Sequence, residues 1–101
     1  MSTKPKSIGF GWGSTTNTKV SIATSTTKLR DAANRTLLIL TNTSTNDVWL
    51  AFGANAVASE GCLLSKNGGV IILGKSAMYK GQINAIAISA SVDVAVVEVI
   101  E

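Results

Sequence analysis

The chain has 101 residues, 46% of them apolar and 15% charged, with a formal net charge of +3. A domain of that length buries about 64% of the surface its unfolded chain exposes, so one core is supported, two domains are not, and the low charge excludes a disordered acidic or basic tail. With no histidine and one cysteine, an intrachain disulfide, a compact Cys/His zinc site and any histidine-dependent triad are excluded.

The charge is uneven. Residues 1–35 carry Lys4, Lys6, Lys19, Lys28, Arg30 and Arg35 against Asp31, whereas the remainder carries three lysines against five acids. A basic N-terminal section on a near-neutral body suits an acidic partner surface, but the density is far below that of a nucleic-acid-binding arm. Met1 to Lys6 are polar, and no apolar segment follows before residue 20, so synthesis and assembly in a cytoplasm are expected. Cys62, beside Leu63 and Leu64, fits a buried, inert thiol in a reducing compartment. No apolar run is long enough to cross a bilayer as a helix.

Residues 1–17 read as an extended arm, in which Gly9, Gly11 and Gly13 alternate with Phe10 and Trp12. Such a segment packs poorly as an ordinary strand interior but can lie close to another surface while presenting Ile8, Phe10 and Trp12. From residue 18 to 101 the pattern is that of one β-domain. Val20 and Ile22 alternate with polar neighbours and mark a first strand, followed by a polar β-compatible stretch at Thr24–Thr27. Asp31-Ala-Ala-Asn34 is the one helix-like stretch, of at most a turn.

Arg35 to Thr43 is a strong strand, and its four consecutive aliphatics, Leu37 to Leu40, predict cover on both faces or a central position in a sheet. Ser44 to Asn46 turns the chain, and Asp47 to Gly53 returns as a strand, predicting a hairpin. After a loop of small residues, Cys62 to Lys66 and Val70 to Leu73 flank Asn67-Gly68, a strong hairpin signal because both central turn residues take positive φ. Ala77 to Lys80 predicts a short strand, and Ile83–Ser89 with Val92–Ile100 predicts a last hairpin. In that final strand Glu98 falls on the face of Val92, Val94 and Val96. Either both faces are covered or a bulge near Val96-Val97 resets the alternation, and the bulge is the favoured expectation.

About eight short strands with regular turns point to an all-β fold, an antiparallel β-sandwich of jelly-roll or Ig-like type. The expected core contains Leu38, Leu40, Leu50, Phe52, Ile72, Ile86, Ile88, Val94 and Val96. Catalysis has little to work with, since the six acids do not cluster and Gly74-Lys75-Ser76 lacks the glycine-rich lead of a phosphate loop. No metal or cofactor is implied. Trp49 and Phe52 lie on opposite faces of one strand and form no base-stacking platform. Phe52 is the expected core member of the two, with Trp49 exposed or partly covered.

From Arg35 onward the sequence resembles the small β-sandwich accessory proteins of tailed-bacteriophage virions. The resembling elements are Arg35-Thr-Leu-Leu-Ile-Leu-Thr-Asn-Thr-Ser44, Val48-Trp-Leu-Ala-Phe-Gly53 with Ala56, Gly61-Cys-Leu-Leu64, Gly81-Gln-Ile-Asn-Ala-Ile-Ala87 and Val96-Val-Glu98. They span residues 35–101, and the first 34 residues match no known pattern. The resemblance implies a non-enzymatic virion protein, a capsid decoration (cement), head-fibre or tail component, located in the virion. Its implied partner is the major capsid protein or another virion protein, with homo-oligomer formation and with no direct contact to nucleic acid or membrane. Lys4, Lys6, Ile8, Phe10 and Trp12 are the candidate assembly residues. The competing expectation is a receptor- or glycan-binding module, in which Trp49 or Tyr79 would stand exposed in a groove beside amide or carboxylate groups.

Overall fold

The computed structural model describes residues 14–74 and 76–101. Eight strands follow one another: β1 (Ser14–Ile22), β2 (Thr27–Arg30), β3 (Arg35–Asn42), β4 (Val48–Phe52), β5 (Cys62–Leu64), β6 (Gly69–Leu73), β7 (Ile83–Ala87) and β8 (Val92–Ile100). They form two four-stranded sheets, ordered β1-β8-β3-β6 and β2-β7-β4-β5. All pairings are antiparallel. The first strand pairs with the last, the second with the seventh, the third with the sixth and the fourth with the fifth. That wrapping is a jelly roll, one of the two sandwich types the sequence allows.

This wrapping corrects all three expected hairpins. β3 and β4, β5 and β6, and β7 and β8 each lie in different sheets, so their short connections arch from one sheet to the other. The turn chemistry itself is as expected, with Asn67 and Gly68 at φ 61 and 101. These two amides, however, bond to Ser44 O and Asn42 O at 2.8 and 2.7 Å. The turn is thus tied to the β3–β4 connection across the sandwich edge instead of closing a ladder.

Three boundaries also move. β1 starts at Ser14, earlier than residue 18, because its polar first half pairs through backbone with Val96–Ile100 of β8 and needs no apolar alternation. The helix-like reading near Asp31 gives way to strand β2 followed by an irregular loop, and Ala77–Lys80 is not a strand. The rest of the expected arm, residues 1–13, lies outside the described residues, as does Lys75 of the chance phosphate-loop match.

The core lies between the sheets. Leu38 and Leu40, Leu50, Val94 and Val96 are buried there as expected, with Ile22, Leu29, Val48, Leu64, Ile83, Ala85 and Ala87. Ile72, Ile88 and Phe52 are corrections: all three are exposed, and Ile86 is only half-buried. On β6, Ile71 pairs with Leu40, so Ile71 and Leu73 face the core and Ile72 points outward. On β7 the inward phase is Ile83, Ala85 and Ala87, opposite Phe52, Leu50 and Val48. Small inward residues there leave room for the large ones of β4. Phe52 has the inward phase but ends its strand, 39% exposed, with its ring edge-on to Tyr79 at 5.2 Å.

Candidate functional site

Among the described residues, Glu98 and Arg35 are the charged residues buried inside the sandwich. β8 runs through Val96-Val97 without a register shift against either neighbour. The expected bulge is therefore absent, and Glu98 stays on the core face. Register shifts occur instead on the strands facing it, between Arg35 and Leu37 of β3 and between Lys28 and Arg30 of β2. A bulge re-aims the following or preceding side chain. Here Arg35 takes the inward phase opposite Ile100, although Leu38 and Leu40 set that phase on even positions. Arg30 likewise pairs with inward-facing Ile83.

Both arginines meet Glu98. Arg30 donates Nε and Nη2 to Oε1 at 3.2 and 2.5 Å, and Arg35 donates Nε to Oε2 at 2.8 Å. Arg35 also donates Nη1 to the carbonyls of Tyr79 and Gly81 and Nη2 to that of Asp31. Burial pushes the Glu98 carboxyl upward, but the hydrogen bonds and charges of Arg30 and Arg35 together outweigh it and hold the group below its usual range. The ionised carboxylate has both oxygens engaged. A general base must be within reach of a substrate, whereas Glu98 is 1% exposed, so the geometry is that of a strut joining β8, β3, β2 and two loops.

A second polar knot sits where β3 ends. Asn42, fully buried, donates Nδ2 to the carbonyls of Asn46 and Leu64 at 2.8 and 3.0 Å, and its Oδ1 accepts from Ser44 N and Oγ. Replacing Asn42 with alanine would strand the buried Leu64 carbonyl and release the half-buried Ser44 and Asn46, and a loss on the order of 2–3 kcal/mol in urea unfolding is expected. Asn84 plays a similar part on the outer face of the second sheet, donating to Ala54 O at 2.6 Å while Ala56 N bonds to Thr26 Oγ1 at 2.8 Å. The loop after β4 is thereby pinned to both β7 and the start of β2. Several residues that carry the phage resemblance, Arg35, Asn42, Asn84 and Glu98, are thus framework residues. The two exposed pairs, Lys19–Asp93 and Lys28–Asp31, contribute little.

Trp49 faces outward, half-buried, with Leu63 and Ile86 beside it across the ladder. Tyr79 is half-buried against Phe52, and its hydroxyl lies 2.7 Å from where a Cβ on Gly53 (φ +81) would stand. Both aromatics are engaged in packing with apolar neighbours. On the outer face of the first sheet an apolar row runs from β6 to β8, with Ile39 between Ile72 and Val97, and a mixed one with Thr41 between Val70 and Ala95, while β1 edges that face with Asn17 and Lys19. Ile72 and Val70 are 62% and 51% exposed.

No family model, curated protein or solved structure matches the chain. Among the described residues, no three of His, Cys, Asp and Glu gather in metal-binding geometry, and no helix is long and apolar enough to cross a membrane. The candidate assembly residues Lys4, Lys6, Ile8, Phe10 and Trp12 lie outside the described residues. Sequence reasoning passed over the Arg30–Glu98–Arg35 cluster. Its one signal was an acid in phase with three buried valines, which predicts an inward partner of opposite charge as readily as a bulge.

Proposed function

We propose that this chain is a non-enzymatic structural subunit of a tailed-phage particle, a decoration protein that binds the outside of the head. The reading rests on the resemblance carried by β3, β4, β5, β7 and residues 96–98 of β8. An assembling role is supported above all by the outward aliphatic row Ile72–Ile39–Val97 on the first sheet, since a contiguous apolar patch on a sheet face marks a contact surface. The polar interior agrees with this, because Glu98 and both arginines are engaged with one another. Of the basic section at residues 1–35, Arg30 and Arg35 are taken up by Glu98, which leaves the lysines, among them the exposed Lys19 and Lys28, as the attraction to an acidic capsid exterior.

The test is incorporation. The intact chain is expected to co-purify with particles. Deleting residues 1–13, which leaves β1 whole, is expected to keep the fold by circular dichroism and to abolish occupancy. Full occupancy after that deletion, or an intact chain that never associates with particles, overturns the reading.

A further inference from the structure

The two sheets have four edge strands, β1, β6, β2 and β5. Natural edges are blunted by charge, shortness or bulges, because an open ladder edge is a template for another strand. Three of the four follow that rule. β1 is polar and carries Lys19, β2 carries Lys28 and a register shift, and β5 has three residues. β6 does not. It reads Gly-Val-Ile-Ile-Leu, has no charge, pairs with β3 in unbroken register and exposes Val70 and Ile72.

We propose that Ile8–Trp12 of a second copy of the chain adds to this edge as a fifth strand of the first sheet. The sequence of the segment matches the site. In a strand, Ile8, Phe10 and Trp12 share one face and Gly9 and Gly11 the other. With the apolar side chains outward, they extend the surface formed by Val70 and Ile72. The glycines then face inward, toward the side on which the other sheet ends at β5, and let the added backbone lie close to the sandwich. Backbone hydrogen bonds supply affinity and the alternate apolar side chains supply selectivity.

Chain reach selects the second copy. β1 begins at Ser14, which pairs with Ile100, and β6 is three strands away in the sheet, about 14 Å at the usual strand spacing. Trp12 is two residues before Ser14 and reaches at most about 7 Å from it. The same chain cannot lay Ile8–Trp12 along its own β6. The contact runs from arm to edge, so made reciprocally it closes a two-fold pair and passed head-to-tail it builds a ring or an open filament.

This inference rests on the reading of the chain as an assembling subunit, and its test is independent of particles. Full-length protein is examined by sedimentation, alone and as variants Ile72→Lys and Phe10→Ala/Trp12→Ala. The intact chain is expected to associate with rising concentration. Each variant alone is expected to be monomeric, with the unfolding midpoint that the intact chain shows at concentrations too low for it to associate. A mixture of the two is expected to associate again, because one supplies intact arms and the other intact β6 edges. A monomeric intact chain, or a mixture that stays monomeric, overturns the proposal. Association through β6 pairing with β6 would be lost in Ile72→Lys but kept by Phe10→Ala/Trp12→Ala alone, and an arm variant that still associates also counts against the proposal. An intact chain that is monomeric in solution yet occupies particles sinks this contact while leaving the structural reading standing. One that associates as proposed yet never binds particles does the reverse.

Discussion

Glu98→Ala is expected to lower the free energy of unfolding by about 3–5 kcal/mol, because removing one partner of a buried ion cluster leaves the others uncompensated. Arg35 is 0% exposed and, without Glu98, would keep a buried charge whose other contacts are all neutral carbonyls. The matching loss at Arg35 is of a different kind: Arg35→Ala removes the donor to the carbonyls of Asp31, Tyr79 and Gly81 and to Glu98 Oε2, leaving Glu98 with Arg30 alone. Arg35→Lys is not a rescue, because an ammonium cannot span a carboxylate and three carbonyls with a planar fork. Urea unfolding of the three variants measures these losses, and a Glu98→Ala midpoint equal to that of the intact chain would remove the strut from the account.

The same cluster sets an acid response. The carboxyl of Glu98 is lower in the folded state than its ordinary value, so the unfolded chain takes up the proton first as pH falls. The stability it contributes is present above the ordinary glutamate range, near about 4.3, and is lost as pH drops through the lower folded-state value. Glu98→Gln is expected to be less stable than the intact chain at neutral pH and to converge with it in acid. Asp31, lowered by its hydrogen bond and charge contact with Lys28, is exposed and adds little to this slope. A gap between the two proteins that stays constant from neutral pH into acid would refute the assignment.

Leu38→Ala is expected to cost about 2–5 kcal/mol, the range for a large buried aliphatic that leaves a cavity. Leu38 is fully buried on central strand β3, between Glu98 of β8 and Leu73 of β6, so neighbours on both sides are held and collapse into the space is limited. Phe52→Ala is expected to cost less than Leu38→Ala, since the ring is partly exposed and keeps one edge contact with Tyr79. Ile72→Ala is expected to change stability by no more than about 0.5 kcal/mol, as for a surface site. Chemical denaturation of the three orders them, and an Ile72→Ala loss as large as that of Leu38→Ala would mean the phase of β6 is misassigned.

The order of these costs separates what is local from what is not. Period-two alternation and the absence of a helical stripe are local properties, and they determined an all-β chain, most strand positions and the positive-φ turn at Asn67-Gly68. They also placed Leu38, Leu40, Leu50, Val94 and Val96 inside. The four aliphatics Leu37 to Leu40 correctly indicated a central strand, since β3 is flanked by β8 and β6.

Which sheet each strand joins was decided only by the tertiary structure. A short polar turn fits a hairpin or an arch equally well, and the choice depends on which apolar faces meet across the sandwich. The phase of a short, continuously apolar run is open for the same reason: Val70 to Leu73 offers a good core residue at every position, and pairing with β3 alone selects Ile71 and Leu73. Glu98 is the sharpest case. Its alternation with three valines pointed inward, but an unpaired buried carboxylate is too costly to expect, and nothing near it in sequence supplies a cation. The partners stand 68 and 63 residues away on two bulged strands, and only the folded sandwich brings them to it.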